Sequence, residues 1–266
     1  MSRRVILSDM MRIIAGQWRG RHLVGPPGDQ TRPILDRAKA VLFDVLGARL
    51  AEPGRLPPVA VLDLFCGTGT LGLEALSRGA TFCRFVERHR ATAAVLRHNL
   101  DDLKVISEAE VMETDATGCE LAPPPGGDHP ERFELVFVDP PYRMLPADGP
   151  VPAIRRLLDR LATSPAIADR ALIVVRHAAG RHGSAAFGSE ALFEPEHEAQ
   201  PQSRRQARRE LAKVGERPLP LHGPSLEPLV ELECREVGNM VFRFMTRPVA
   251  SLADHTSATE PAGGPP

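Results

Sequence analysis

Apolar residues recur along the middle of the chain in two alternating patterns, one typical of buried strands and the other of amphipathic helices. Short apolar runs predict five strands, at residues 59–65, 81–87, 105–114, 133–138 and 171–176. Segments with apolar residues at helical spacing predict helices at residues 71–77, 88–103 and 151–161. Strands that alternate with helices in this way favour right-handed crossovers and a mostly parallel sheet.

The segment before this alternation has its own pattern. Residues 11–23 contain two short extended runs around Gly16, which predict a small hairpin. Pro33 then precedes an amphipathic segment that predicts a helix at residues 34–50. The apolar residues that we expect this helix to turn toward the core are Ala38, Val41, Leu42, Val45 and Leu46.

The alternation also stops near the other end of the chain. Residues 178–228 are rich in Pro, Gly, Glu and Arg, which predicts an insertion, and within it residues 204–214 predict a short basic helix. Two extended runs follow, at residues 230–237 and 240–245. They are joined by Gly238-Asn239, a dipeptide that suits a tight two-residue hairpin turn.

Together these elements predict an α/β fold. We expect a Rossmann-like, seven-stranded, mostly parallel sheet with a C-terminal antiparallel hairpin, helices on both faces and a small N-terminal hairpin and helix. The expected parts of the chain are a disordered extension at residues 1–10, an N-terminal arm and helix at 11–57, a main domain at 58–247 and a disordered tail at 248–266.

Composition excludes several classes of protein. No apolar run approaches the roughly 18 residues of a membrane span, and residues 1–10 hold no apolar stretch of signal-peptide length. The four cysteines lie far apart, without Cys-x-x-Cys spacing. That arrangement fits a reducing compartment and argues against a disulfide framework or a structural zinc. We therefore expect a soluble, cytoplasmic protein that binds no metal.

Charge is distributed unevenly, although the net charge is only -1. Residues 1–40 carry eight Lys and Arg against three acids, and the remaining residues carry 25 basic against 31 acidic side chains. A basic arm on an acidic body can place positive potential where a phosphate backbone lies. A solvated N-terminal segment would explain the same charges.

A glycine-rich loop follows the first predicted strand of the main domain. Residues 63–72 read Asp-Leu-Phe-Cys-Gly-Thr-Gly-Thr-Leu-Gly and contain the pattern Gly-x-Gly-x-x-Gly. Such glycines allow a tight turn and a close approach of backbone amides to a ligand at a helix N-terminus. Nicotinamide and flavin enzymes use the same geometry, so the pattern alone does not choose the cofactor.

Acidic residues near this loop narrow the choice. Asp63 stands four residues before the first glycine, where a carboxylate would repel a pyrophosphate but would attract the ammonium and sulfonium charges of S-adenosylmethionine. Glu87 is placed to accept hydrogen bonds from ribose hydroxyls, and Asp115 to contact the adenine edge. The loop residues expected to contact this cofactor are Phe65, Gly67, Thr68 and Gly69.

The tetrapeptide Asp139-Pro140-Pro141-Tyr142 ends the fourth predicted strand. Two prolines fix the backbone and remove two N–H donors, so the Asp139 side chain and the Pro140 carbonyl can both accept hydrogen bonds in the crevice at the sheet edge. Two such acceptors suit a planar exocyclic amine. Tyr142, the single tyrosine of the chain, can stack on a base that has left its helix. These four residues are the candidate catalytic group.

These motifs resemble the RsmD family of methyltransferases. The resemblance is carried by residues 11–21, by the Thr-Arg-Pro segment that begins at Thr31, and by residues 63–80. It implies transfer of a methyl group from S-adenosylmethionine to the N2 amine of guanine in 16S ribosomal RNA within the small subunit, by a protein that we expect to be a monomer. The RNA contacts that it implies are Trp18, Arg19, Arg21, Arg32 and Arg37.

Two other enzymatic functions remain open on sequence alone. Enzymes that methylate the N6 amine of adenine in DNA or RNA share the Asp-Pro-Pro-Tyr tetrapeptide, so the target base is not fixed by residues 139–142. A nicotinamide-dependent oxidoreductase would share the glycine pattern but not the acid at position 63. A non-enzymatic RNA-binding module would need no Asp139 corner.

Overall fold

A computed structural model gives the arrangement of most of the chain. The described residues are 11–26, 34, 36–51, 53–146, 149–179, 226 and 228–248. The extension at residues 1–10, the basic helix at 204–214 and the tail from residue 249 onward lie outside this part of the chain. Most of the insertion and Arg32 lie outside it as well.

Seven strands form one sheet. They are β1 (Ala60–Leu64), β2 (Phe82–Val86), β3 (Ala109–Met112), β4 (Phe133–Val138), β5 (Ile167–Ala178), β6 (Val230–Val237) and β7 (Met240–Thr246). Their order is β3-β2-β1-β4-β5-β7-β6. Strands β1 to β5 are parallel, and β7 is antiparallel to both β5 and β6. The predicted seven-stranded, mostly parallel sheet with a terminal antiparallel hairpin is therefore confirmed.

Four α-helices accompany the sheet within the described residues. They are α1 (Asp36–Leu50), α2 (Thr70–Arg78), α3 (Arg90–Leu103) and α4 (Pro152–Thr163). None of the helices in this part of the chain is long and apolar enough to cross a bilayer. Each predicted helix between residues 34 and 161 is present, with ends that differ by a few residues.

The two faces of the sheet carry separate apolar clusters because successive strand residues point to opposite sides. One cluster joins strand residues such as Phe85 and Phe137 to buried side chains of α1, α2 and α3. The other joins residues such as Val138 and Val175 to the buried side of α4. The predicted placement of helices on both faces is thus confirmed, with three helices on one face and one on the other.

Strand β3 is shorter than predicted. The predicted run began at Val105, but β3 begins at Ala109. Lys104 ends α3 in the left-handed conformation, with φ 58°, and the Val105 amide donates to the Leu100 carbonyl at 3.1 Å. Residues 104–108 therefore connect the end of α3 to β3. The buried Val105 belongs to this connection and not to the strand.

The buried side of α1 is rotated from the predicted one. Val41 and Val45 are only half-buried, whereas Lys39 and Phe43 are fully buried. The Phe43 ring lies 6.0 Å from the ring of Phe137 on β4, and the Arg78 guanidinium lies over it at 4.6 Å. Ala38, Leu42 and Leu46 are buried as predicted. A fully buried lysine needs a charged partner, which sequence periodicity does not reveal.

Candidate active site

The site lies where the direction of strand progression reverses. From β1 the chain proceeds to β2 and β3 on one side, and β4 and β5 lie on the other. Leu64 and Val138, the last residues of β1 and β4, are register partners. The glycine loop and the Asp-Pro-Pro-Tyr corner therefore leave adjacent strands at the same edge, at the topological switch point where open α/β sheets bind ligands.

The glycine loop has an unusual backbone. Phe65, a non-glycine residue, has φ 61°, and Gly67 and Gly69 have φ 58° and 85°. A side chain in this left-handed region costs free energy, and such residues concentrate at functional sites. A Cβ atom at Gly67 would meet nothing within 4 Å, so this glycine borders open space and is favoured there by its backbone angle rather than by packing. Gly67 thus leaves its backbone open to a ligand at the edge of the crevice.

The other two glycines are required by packing. A Cβ atom at Gly69 would lie 2.4 Å from Leu96 Cδ1, and one at Gly72 would lie 2.3 Å from Phe85 Cε1. Both positions bring the start of α2 close to β2 and α3. The third glycine of the pattern therefore serves close helix–strand packing, as it does in nucleotide-binding folds in general.

Asp63 is buried at the end of β1. Its Oδ2 accepts a hydrogen bond from the Gly72 amide at 2.9 Å, which ties β1 to the first turn of α2. Its Oδ1 is buried and has no hydrogen-bond partner among the described residues. Burial, with smaller contributions from the nearby charges of Asp139 and Glu87, raises the pKa of Asp63 to about 8. This carboxyl therefore has one oxygen that a cationic ligand could stabilise.

Glu87 follows β2 directly and holds the glycine loop from the other side. Its Oε2 accepts from the Gly67 amide at 3.1 Å, and its Oε1 accepts from the His89 amide at 2.7 Å. Each carboxylate oxygen has a second acceptor position. Glu87 can therefore anchor the loop and still accept hydrogen bonds from a ligand.

Asp115 lies in a different environment. Its Oδ1 accepts from both the amide and the hydroxyl of Thr117, at 2.8 and 2.7 Å, and its Oδ2 lies 3.9 Å from Arg88. The hydrogen bonds from Thr117 lower the pKa of Asp115. One oxygen of this half-exposed carboxylate is therefore used to close a turn, and Oδ2 is the oxygen left for any contact with a ligand.

Asp139 directly follows β4. It has a hydrogen-bond partner that the sequence did not indicate. Its Oδ1 accepts a hydrogen bond from Nε of Arg176 at 2.5 Å. Burial raises the pKa of Asp139, and the Arg176 charge acts against that rise. Pro140 is buried, Pro141 is exposed, and Tyr142 is 40% exposed at the start of a single 3-10 turn. The tetrapeptide therefore places a carboxylate that is only 17% exposed beside an accessible aromatic ring.

Arg176 was missed because it belongs to no local motif. It lies in β5, 37 residues after Asp139. Val138 and Val175 are register partners in the parallel pair β4–β5, so the residue that follows each of them lies at the same edge. The available signal was an arginine after the apolar run of a predicted strand, and it becomes informative only once the strand order is known.

The N-terminal hairpin is present and is fixed to α2. The Ile13 amide donates to the Arg21 carbonyl at 2.9 Å across the hairpin. Glu74 of α2 is fully buried and accepts from the amides of Ile14 and Ala15, at 2.9 and 3.0 Å. A Cβ atom at Gly16 would lie 1.8 Å from the Ser77 carbonyl oxygen, so only glycine allows this close approach.

Two buried cations complete the environment of Glu74. Arg78 Nε lies 2.8 Å from Glu74 Oε1, and Lys39 Nζ lies 3.8 Å from Glu74 Oε2. Lys39 also donates to the Arg12 carbonyl of the hairpin. Helix α1, the hairpin and α2 are thus joined by one buried polar network. Sequence reasoning assigned no role to Glu74 or Lys39.

Asn99 connects the same arm to the glycine loop. Its side chain, 2% exposed, accepts from the Val24 amide at 2.8 Å and donates to the Val24 carbonyl at 3.1 Å. It also donates to the Thr68 carbonyl at 3.2 Å. The arm and the buried Thr68 of the loop therefore share one side chain of α3, which was not predicted.

The residues predicted to contact RNA occupy different surroundings. Arg19, Arg21 and Arg37 are exposed, although Arg21 Nη2 donates to the Asp102 carbonyl at 2.9 Å. Trp18 is half-buried and packs against the core cluster. Within the described residues, no group of His, Cys, Asp and Glu side chains could hold a metal ion.

Comparison with known proteins assigns the chain to a family. A family model described as "Conserved hypothetical protein 95" matches residues 11–192. The chain is 36% identical over 168 residues to Ribosomal RNA small subunit methyltransferase D of Escherichia coli K12, which covers 63% of this chain and 75% of that protein. It is 40% identical over 133 residues to the protein of the same name from Haemophilus influenzae, covering 50% of this chain and 64% of that protein.

A solved structure agrees with the sequence comparison. The candidate methyltransferase yhhF from Escherichia coli superimposes with a TM-score of 0.57 at 27% identity, covering 89% of this chain and 97% of that chain. The residues matched by the family model, 11–192, include the glycine loop and the Asp139 corner.

Proposed function

Because this chain belongs to the RsmD family of ribosomal RNA methyltransferases, we propose that it transfers a methyl group from S-adenosylmethionine to the N2 amine of a guanine in 16S ribosomal RNA of the small subunit. The observation that carries this proposal is the juxtaposition of the glycine loop and the largely buried Asp139 carboxylate at the switch point.

The residues in and around the glycine loop fit the proposed cofactor. Asp63 offers a buried oxygen without a partner among the described residues, and an ammonium or sulfonium charge would stabilise it. Gly67 borders open space, and Glu87 retains acceptor positions for ribose hydroxyls. When bound, S-adenosylmethionine supplies an electrophilic methyl group. A dinucleotide fits less well, because its pyrophosphate would meet the Asp63 carboxyl.

The residues of the Asp-Pro-Pro-Tyr corner would hold the amine. The free oxygen of Asp139 and the carbonyl of Pro140 would accept the two N–H bonds, which orients the nitrogen lone pair for in-line attack. The amine loses one proton in the overall reaction, and Asp139 is the carboxylate placed to receive it. Tyr142 would stack on the extruded base, and the exposed arginines of the arm would contact RNA phosphates.

The choice between guanine and adenine can be tested directly. Small subunits from cells lacking the protein, and duplex DNA, are each incubated with the purified protein and S-adenosylmethionine, and the nucleosides are analysed by mass spectrometry. We expect N2-methylguanosine from the subunits and no methylated nucleoside from DNA. Appearance of N6-methyladenosine alone would establish the adenine alternative instead.

Cofactor affinity should depend on pH through Asp63. In the free protein the pKa of Asp63 is about 8, so the carboxyl is mostly protonated at pH 7. A bound cation lowers this pKa, so binding releases a proton and affinity rises with pH until about pH 8 and then levels off. Calorimetric titration from pH 6.5 to 9 should show this rise. Asp63→Asn should show weaker binding with a smaller pH dependence, and an unchanged slope would exclude Asp63 as the titrating group.

Tyr142 should contribute to RNA recognition through its ring rather than its hydroxyl. Stacking on a base is worth about 1–3 kcal/mol, so Tyr142→Ala should lower kcat/KM for subunits by roughly 5- to 150-fold. Tyr142→Phe, which keeps the ring, should remain within about threefold of the unaltered protein. Steady-state kinetics with purified subunits measures both, and equal losses in the two variants would assign the effect to the hydroxyl.

A further inference from the structure

Arg176 forms an ion pair of low solvent exposure with Asp139, the proposed catalytic carboxylate. The side chains of Arg176 and Asp139 are 13% and 17% exposed, and Nε lies 2.5 Å from Oδ1. A charge-assisted hydrogen bond of this kind is stronger and more directional than one between neutral groups. The low exposure of both side chains distinguishes this ion pair from the exposed ion pairs elsewhere on the surface.

The guanidinium is also held from its other side. Arg176 is the register partner of Phe242 in the antiparallel pair β5–β7, and its Nη1 lies 3.7 Å from the sulfur of Met240. Met240 is itself buried. Arg176 thus lies between β4 and β7, so its position is set by the C-terminal hairpin as well as by Asp139.

The charges around Asp139 make this arginine consequential. Asp63 on β1 and Glu87 after β2 lie in the same crevice, and the charges of Asp139 and Glu87 both help to raise the pKa of Asp63. Burial of Asp139 opposes its ionisation, and the charge and hydrogen bond of Arg176 on β5 favour it. Without Arg176, the largely buried Asp139 carboxyl would lose the cation that opposes the effect of burial on its pKa.

We propose that Arg176 is a positioning residue for methyl transfer: it holds Oδ1 of Asp139 and keeps the carboxylate ionised, which leaves Oδ2 to accept the hydrogen bond of the target amine. This inference rests on the proposed function and adds a role for β5 and the hairpin. Arginine suits the role because its Nε–H lies in a fixed plane, whereas a lysine ammonium is a mobile point charge.

The test compares Arg176→Gln and Arg176→Lys with Arg243→Gln. Arg243 forms a similarly buried ion pair with Glu231, in the same half of the sheet but outside the proposed site. We expect Arg176→Gln to lower kcat at pH 7 by about 10-fold or more while the KM for S-adenosylmethionine changes less than about twofold. The acidic limb of the pH–kcat profile of Arg176→Gln should shift to higher pH by about 1 unit or more. Arg176→Lys should keep the limb near its original place and recover part of kcat.

A second readout does not depend on activity. Carbon-13 NMR of Asp side-chain carboxyls, with the Asp139 signal assigned by its loss in Asp139→Asn, gives the pKa of that group in each variant. The inference predicts a higher value in Arg176→Gln and no change in Arg243→Gln. An unchanged value together with an unchanged pH–kcat profile would overturn it. Absence of turnover on subunits by the unaltered protein would instead refute the proposed function, and the NMR comparison would still decide the role of Arg176.

Discussion

Replacement of Asp139 with Asn or Ala is expected to lower the single-turnover rate of methyl transfer by about 10²- to 10⁴-fold, the range typical when a positioned acid–base group is removed. The reason is that Oδ2 is the acceptor proposed to orient the amine and to receive its proton. Binding of S-adenosylmethionine should change little, because the loop that would hold the cofactor is anchored by Asp63 and Glu87 rather than by Asp139.

A matched control separates this effect from a general loss of charge. Asp169 has a side chain that is 83% exposed and pairs with Arg247, so Asp169→Asn removes an acidic ion-pair partner away from the site. Rapid-quench measurement of methyl transfer and calorimetry of cofactor binding are made on the variants and the unaltered protein. An Asp139 variant that retains a rate within threefold of the Asp169 control would contradict the proposed role.

Glu74→Ala should destabilise the protein by about 3–5 kcal/mol, because it leaves the buried Arg78 without its carboxylate and the buried Lys39 with Asp36 alone among the described carboxylates. It also removes the acceptor of the Ile14 and Ala15 amides, so hydrogen exchange at these two amides should accelerate. Urea unfolding monitored by circular dichroism measures the change in the free energy of unfolding.

The control for this prediction is an exposed ion pair. Glu113→Ala breaks a contact with Arg97 in which both side chains are a third or more exposed, and such pairs contribute about 0–1 kcal/mol. Glu74→Gln, which keeps an acceptor oxygen but not the charge, should lie between the two. If Glu74→Ala and Glu113→Ala were equally mild, the buried network would not be what fixes the arm to α2.

Much of the fold could be predicted because its signals are local. Apolar runs such as residues 133–138 and the turn dipeptide Gly238-Asn239 are contained within a few residues, and both appear in the structure as predicted. The candidate site is local for the same reason. Asp63 lies at the end of β1, the glycines lie in the loop after it, and Asp139 directly follows β4; parallel strands bring these carboxyl ends to one edge.

The remaining features depend on contacts between distant segments. Lys39 is buried because Glu74 reaches it from another helix, so the apolar face of α1 could not be read correctly from periodicity. Arg176 acquires its meaning from β5 lying beside β4. Asp115 is a different case, because its hydrogen bonds to Thr117 are local. An aspartate that closes a turn and an aspartate that binds a ligand cannot be distinguished by sequence alone.

Nucleoside mapping of 16S ribosomal RNA tests the central claim most directly. RNA is taken from cells that lack the protein and from the same cells complemented with the unaltered chain or with Asp139→Asn. The account predicts that one N2-methylguanosine is lost without the protein, returns with the unaltered chain, and stays absent with Asp139→Asn. An unchanged set of methylated guanines across all three samples would contradict it.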